Sequence, residues 1–175
     1  MNQPTLRPAV VPGRPRPAGF GAACLALLSA CLFGFASAKA DPGQALNFDG
    51  IEDKVTIPHR AELNSLPLTV ECWFKPTASG SGVSSIVNKY VASSGNGWAI
   101  HYAGGQVSGW YYAMPGYVNT TLPAVSVSLN TWHHVAMVVE TTGSKLYVDG
   151  VLASSAVWSG APTVATTTQD VTLGE

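Results

Sequence analysis

The stretch from Gly97 to Tyr112, GWAIHYAGGQVSGWYY, decides the fold class of this chain. Two runs suited to β-strands flank Gly104-Gly105, and such a pair predicts a two-residue hairpin loop because both central residues of a type I′ turn need positive φ. With that loop length, His101 lies opposite Ser108. Because side chains of a strand alternate between its two faces, the hairpin should present two different surfaces.

The two surfaces differ in chemistry. One is predicted to be core, and it carries Trp98, Ile100, Tyr102, Val107 and Tyr111. The other is polar with two large aromatic rings, and its candidate ligand-binding residues are His101, Gln106, Ser108, Trp110 and Tyr112, beside Ala99. Sugars stack on aromatic rings while polar side chains meet their hydroxyls, so this surface predicts a ligand site. The alternative is that these rings form a small additional core beneath a loop such as residues 114–119.

The rest of the chain after Ala45 also predicts an all-β protein. Short runs of Val, Thr, Tyr, Trp and Ile are separated by Gly, Asn, Ser and Pro. Asp149-Gly150 predicts a second tight hairpin. Residues 59–66 lie between Pro58 and Pro67 and predict only one short turn. The predicted strands are 45–49, 53–57, 68–75, 84–90, 97–103, 106–112, 122–127, 132–140, 144–149, 151–157 and 170–174. Residues 132–140 are apolar on both faces, which indicates a central strand covered on both sides.

Composition excludes two functional classes. Apolar residues make up 46% of the chain, charged residues only 11%, and the formal net charge is −1. Soluble globular proteins average about 25% charged residues. The chain is therefore too apolar for a disordered protein and lacks the basic surface of a nucleic-acid-binding protein. Residues 41–175 contain all ten acids and carry a net charge of −5.

The first 40 residues are predicted to be an export signal. Arg7, Arg14 and Arg16 precede an apolar segment at residues 18–38, which ends in small residues suited to signal peptidase. Two alternatives remain open. The segment is close to the length that spans a bilayer, so it could be retained as an anchor. Leu28-Ser29-Ala30-Cys31 also resembles a bacterial lipobox, in which Cys31 would be acylated. Each alternative places residues 41–175, the predicted mature domain, outside the cytoplasm, in an extracellular or periplasmic location or at the cell surface.

Cysteine usage agrees with a domain stabilised by packing. Cys24 and Cys31 lie in the leader, which leaves Cys72 as the sole cysteine of the mature domain. Because Cys72 alternates with Leu68, Val70 and Phe74, it is predicted to be a buried and unreactive thiol.

Four blocks in the chain resemble the laminin G-like domains of the concanavalin A-like lectin/glucanase superfamily. They are Ala45–Val55 (ALNFDGIEDKV), Leu68–Pro76 (LTVECWFKP), Thr131–Ala136 (TWHHVA) and Lys145–Val151 (KLYVDGV). The resemblance implies an antiparallel β-sandwich, or jelly roll, used for adhesion or carbohydrate binding. It also implies a further strand beside the first one, after the segment Val171–Gly174, so the sequence is expected to lack the last strand of the fold.

The titratable residues do not predict catalysis. Retaining glycosidases need two carboxyl groups about 5–5.5 Å apart. Glu71 is the only carboxylate of its predicted strand, Glu140 ends another, and Asp149 belongs to a turn. His133 and His134 point to opposite faces of a strand, so they cannot share a metal ion and are predicted to be structural.

A calcium site is the remaining metal hypothesis. Asp49, Glu52 and Asp53 bring three carboxylates to one turn, and calcium prefers oxygen ligands. Relatives of this fold often hold calcium near such loops, as the resemblance implies, but Asp49-Gly50 is equally well explained as a turn. The sequence thus predicts an exported, non-catalytic module that binds a glycan or an extracellular protein. The alternative is a structural or accessory part of a larger extracellular enzyme or adhesin.

Overall fold

Regular structure in the described residues consists of strands and one short 3₁₀ turn at Ala61–Asn64. The computed structural model describes residues 45–80, 82–114, 116 and 118–174, so the predicted export signal lies outside the described residues. The strands are β1 (Val55–Ile57), β2 (Leu68–Phe74), β3 (Ser84–Asn88), β4 (Gly97–Ala103), β5 (Gln106–Ala113), β6 (Val118–Thr121), β7 (Val125–Ser126), β8 (His133–Glu140), β9 (Gly143–Val148), β10 (Val151–Ala156) and β11 (Val171–Leu173).

The strands form two antiparallel sheets that pack as a sandwich, which confirms the predicted fold class. The seven-stranded sheet has the order β1-β11-β3-β4-β5-β6, and β7 also pairs with β5. The four-stranded sheet has the order β10-β9-β8-β2. Within the described residues, no helix is both long and apolar enough to cross a membrane.

Both predicted hairpin turns are confirmed. Gly104 and Gly105 have φ values of 56° and 79°, and Asp149 and Gly150 have φ values of 52° and 79°. These are the positive values that a type I′ turn requires. In the β4–β5 hairpin His101 lies opposite Ser108, as the two-residue loop predicts.

The core lies between the two sheets and contains the predicted apolar surface of the hairpin. Ile100, Val107 and Tyr111 are fully buried there, and they face the four-stranded sheet. Two aromatic polar atoms are satisfied by main-chain partners: Trp98 Nε1 donates to Leu63 O at 2.7 Å, and Tyr111 Oη donates to Asn64 O at 2.7 Å. The remaining buried members of the core include Val87, Ala113, Leu122, Val135, Met137, Val139, Leu146, Ala165 and Val171.

Strand β8 is central, as predicted, because it lies between β9 and β2. Its inward side chains Val135, Met137 and Val139 are fully buried. Its outward face is covered less completely than predicted, since His134 and Val138 are only partly buried. The outward side chains of β8 are therefore covered in part by neighbouring side chains of the same sheet, and a complete second layer does not cover these described residues.

Three strand predictions differ from the structure. Residues 45–49 form no strand, because their main chain has no sheet partner among the described residues, and Leu46 and Phe48 are exposed. Strand β6 was not predicted, because its sequence, VNTT, has no apolar alternation. The predicted strand 122–127 is reduced to the two residues of β7.

Cys72 is a partly buried free thiol on the inward side of β2. Burial and, to a smaller extent, the neighbouring Glu71 carboxylate raise the pKa of this thiol to about 11. Since the thiolate is the nucleophile, the thiol is poorly reactive at neutral pH.

Gly97, the first residue of β4, lies close to the main chain at Lys89, which follows β3. Its φ is 116°, and a Cβ added there would lie 2.1 Å from the carbonyl oxygen of Lys89. Gly97→Ala should therefore lower the free energy of unfolding by about 2–3 kcal/mol in urea denaturation. Gly82→Ala is the matched control, because the added Cβ meets nothing within 4 Å, and should change stability by less than about 0.5 kcal/mol. Equal stability of the two variants would contradict this arrangement.

Candidate functional site

The polar surface of the β4–β5 hairpin lies on the outer side of the seven-stranded sheet, opposite the core. We call it the hairpin face and define it by Ala99, His101, Gln106, Ser108, Trp110 and Tyr112. Antiparallel pairing brings the predicted site residues onto this one surface. Their exposure differs: His101 and Ser108 are buried, Trp110 and Tyr112 are partly buried, and Gln106 is exposed.

Aromatic rings form a continuous cluster on the hairpin face. The ring centroids of His101 and Trp110 are 3.9 Å apart. Tyr90 lies 5.5 Å from the ring of Trp110 and 5.5 Å from that of Tyr112, measured between centroids. Tyr90 was not predicted to join this cluster, because it lies two residues after the end of β3 and β3 contains a register shift between Ser85 and Val87.

Hydroxyl and amide groups from neighbouring strands surround these rings. Strand β6 places Thr121 opposite Trp110, and the Thr121 hydroxyl donates to Tyr112 Oη at 3.4 Å. Strand β7 places Ser126 opposite Gln106, whose Nε2 donates to the Ser126 hydroxyl at 3.5 Å. The surface therefore combines stacking rings with donors and acceptors that suit a polyhydroxylated ligand.

His101 is held in its neutral form. Its Nε2 and the Ser108 hydroxyl oxygen are 2.6 Å apart. Burial lowers the pKa of His101 to about 4, because removing the imidazolium from water is costly.

Two buried nitrogen atoms of the hairpin face have no hydrogen-bond partner within the described protein. They are Nδ1 of His101 and Nε1 of Trp110. A buried polar atom without a partner costs about 1–3 kcal/mol, so such atoms usually have a reason. Both belong to the ring pair at the centre of the cluster.

The predicted alternative of a loop-covered core remains open. Met114 and Gly116 follow β5, while Pro115 and Tyr117 lie outside the described residues. Part of the covering of Trp110 and Tyr112 comes from Tyr90 rather than from residues 114–119.

The carboxylates considered for catalysis each pair with a basic group. Glu71 Oε2 lies 3.6 Å from His134 Nε2, and Glu140 Oε2 accepts from Lys145 Nζ at 3.0 Å. Asp149 Oδ2 lies 2.8 Å from His133 Nδ1.

His133 also joins Asp149 to Ser128, an arrangement that sequence analysis did not assign. The ring Nε2 lies 3.0 Å from the Ser128 hydroxyl and 3.1 Å from the Ser128 carbonyl oxygen. The Asp149 carboxylate accepts from Nδ1 of His133, and the Ser128 hydroxyl can donate to or accept from Nε2. These contacts connect the β9–β10 turn to the loop before β8.

The predicted calcium ligands act within their own turn. The Asp49 carboxylate accepts from the Ile51 N–H at 2.9 Å, and the Asp53 carboxylate accepts from the Asp49 N–H at 3.2 Å. No group of three or more His, Cys, Asp or Glu side chains in the described residues is arranged to hold a metal ion. Calcium binding by Asp49, Glu52 and Asp53 stays a prediction.

The lowered pKa of His101 predicts a pH dependence of stability. Between the ordinary pKa of 6.5 and about 4, the unfolded chain binds a proton that the folded chain does not. The contribution of His101 is fully present above pH 6.5 and is lost as the pH falls toward 4, a change of about 3 kcal/mol. Urea denaturation at several pH values should show this slope in the wild-type protein and a flatter one in His101→Gln. Parallel slopes would mean that His101 is accessible to protons in the folded state.

Comparisons with known proteins agree with this architecture. A family model described as concanavalin A-like lectin/glucanases superfamily, of the laminin G type, matches residues 49–175. No curated protein matches the chain significantly.

Solved structures with a similar fold include a mouse laminin and a bacterial toxin. Domains LG4-5 of the mouse laminin alpha1 chain superpose with a TM-score of 0.50 and 14% identity, over 69% of this chain and 31% of that one. The binding domain of botulinum neurotoxin serotype C1 superposes with a TM-score of 0.53 and 16% identity, over 69% of this chain and 31% of that one. This chain thus spans about a third of the length of these neighbours. With its family model matched over most of its length, the chain belongs to the concanavalin A-like lectin/glucanases superfamily.

Proposed function

We propose that this chain is an exported, non-catalytic binding module that holds a carbohydrate on the hairpin face. Membership of a superfamily that includes lectins supports a binding role. The neighbouring toxin structure is itself a binding domain. The aromatic rings and polar side chains of the hairpin face point to carbohydrate as the ligand class.

The observation that carries the proposal is the ring cluster on a surface otherwise made of hydroxyl and amide groups. Trp110 packs at a tilted angle against His101 and edge to face against Tyr90, while Tyr112 extends the cluster toward β6. The C–H face of a pyranose ring packs on such rings, and its hydroxyls exchange hydrogen bonds with the surrounding side chains. A hydrocarbon ligand would leave those polar groups without partners.

The unpartnered nitrogen atoms add a second line of support. Because both atoms are buried, a ligand hydroxyl reaches Nδ1 of His101 or Nε1 of Trp110 only if the rings shift, and it would then remove the cost of burying them alone. The low pKa of His101 keeps the ring neutral, so the ligand meets no additional positive charge at neutral pH.

Export is part of the proposal and rests on the sequence of the leader. We place the domain at the cell surface or in the extracellular or periplasmic space, released by cleavage near residue 40. Mass spectrometry of the mature N-terminus distinguishes this from retention of the segment or from acylation at Cys31.

A structural or accessory role in a larger extracellular enzyme or adhesin is the second candidate. The observation in its favour is that the chain corresponds to about a third of the neighbouring laminin and toxin chains. In this role the module would position other domains and would bind a protein partner or no ligand of its own.

A glycan array separates the two candidates. The wild-type protein should bind a subset of glycans, and Trp110→Ala should weaken that binding about tenfold, since ring stacking contributes up to about 1.5 kcal/mol beyond the area that it buries. Tyr112→Ala should weaken it less, because Tyr112 lies at the margin of the cluster.

Val157→Ala is the control, because Val157 is 80% exposed and lies outside the hairpin face. Its binding should equal that of the wild type. Thermal melting of each variant checks the fold. Wild-type protein that binds no glycan, or a Trp110→Ala variant that binds normally, would favour the accessory role.

A further inference from the structure

The outer side of the four-stranded sheet carries a second aromatic surface. Trp73 of β2 is 65% exposed there, although burial of an indole ring is strongly favoured. We call this surface the Trp73 patch and define it by Glu71, Trp73, Trp132, His134 and Tyr147. It lies on the sheet opposite to the one that carries the hairpin face, so it is separate from the site described above.

Cross-strand pairing holds the Trp73 ring in place. Trp73 lies directly opposite His134 of β8, and the two ring centroids are 5.3 Å apart at an angle of 48°. His134 Nε2 also lies 3.6 Å from the carboxylate of Glu71, which is two residues from Trp73 on the same side of β2. The indole is thus supported on one side by an imidazole and flanked by a carboxylate, while most of its surface remains in water.

The patch continues across the sheet. The register places Glu71, Ala136, Tyr147 and Leu152 in one row over four neighbouring strands. Tyr147 is partly buried and Leu152 is 52% exposed. Trp132 lies two residues before His134, just ahead of β8, and is 47% exposed, so continued alternation would bring it to the same side. The result is a surface of rings along the sheet.

Charge and area indicate what this surface can hold. Glu71, whose Oε2 lies 3.6 Å from His134 Nε2, is the carboxylate of the patch and would repel an anionic ligand, while Glu140 pairs with Lys145 farther along the same side. Taking about 250 Å² for one indole side chain, the exposed parts of Trp73 and Trp132 amount to roughly 300 Å². A standard protein interface needs about 800 Å² per partner. An uncharged and narrow ligand therefore fits better than a second protein.

We infer that the Trp73 patch binds the flat face of a neutral polysaccharide chain. Pyranose rings stack on Trp73, while the Glu71 carboxylate accepts hydrogen bonds from sugar hydroxyls and His134 positions both side chains. The inference does not rest on the hairpin face. If both surfaces bind, one module engages glycans on its two opposite sides.

The test is co-sedimentation of the full-length mature protein with insoluble cellulose, chitin and xylan. The wild-type protein should bind at least one of these probes, and Trp73→Ala should lower the affinity at least tenfold. Trp73→Tyr should retain most of the binding because a stacking ring remains. Glu71→Gln, at a side chain that is 64% exposed, should reduce binding severalfold without affecting the fold.

Two controls make the result specific. Val83→Ala, at a side chain that is 64% exposed next to β3 of the other sheet, should sediment like the wild type. In a Trp110→Ala background, Trp73→Ala should still lower the affinity at least tenfold, so failure of one site is distinguished from failure of the other. Because Trp73 is mostly exposed, the melting temperature of Trp73→Ala should fall by no more than a few degrees. Absence of wild-type binding to all three probes, or equal binding by the wild type, Trp73→Ala and Glu71→Gln, overturns the inference.

Discussion

The close packing of β5 against β8 is the constraint on which the rest of the structure depends. Gly109 has no side chain, and a Cβ there would lie 2.8 Å from the sulfur of Met137, so the Met137 side chain of β8 fills the space above this glycine. Val107 and Tyr111 flank the glycine on either side and are fully buried. Because side chains of a strand alternate, burying this side of β5 forces Ser108, Trp110 and Tyr112 to the outer surface.

The same alternation sets the direction of the central side chains of both candidate surfaces. On β8, burying Val135 and Met137 sends His134 to the outer side, next to Trp73. Trp73, His134 and Trp110 lie within strands that pair with neighbours on one sheet. Side chains already held in position lose little conformational entropy on binding.

The hairpins could be predicted from sequence because local chemistry decides them. Gly104-Gly105 and Asp149-Gly150 permit the positive φ values of a tight turn, and the turn length then sets every cross-strand pair of β4 and β5. The surface containing His101 and Trp110 followed directly from that register. The register does not decide the function of this surface, because the same sequence pattern suits rings that bind a sugar and rings that are buried beneath a loop.

The remaining features depend on contacts between distant residues. Tyr90 reaches the hairpin face only after a register shift in β3, and His133 meets Ser128 and Asp149 only when the β9–β10 turn packs beside β8. Residues 45–49 have the alternation of a strand but no described strand pairs with them. Local propensity indicates which segments are suited to form strands, whereas pairing with a neighbouring strand decides whether they do so.

The central claim, that a carbohydrate is held on the hairpin face, is tested most directly by nuclear magnetic resonance of the indole N–H groups during titration with a glycan that the protein binds. The account predicts a large shift for Trp110, whose partly exposed ring would contact the sugar, and little change for Trp98, which is buried and whose Nε1 donates to Leu63 O. An unchanged Trp110 signal at saturation would contradict it.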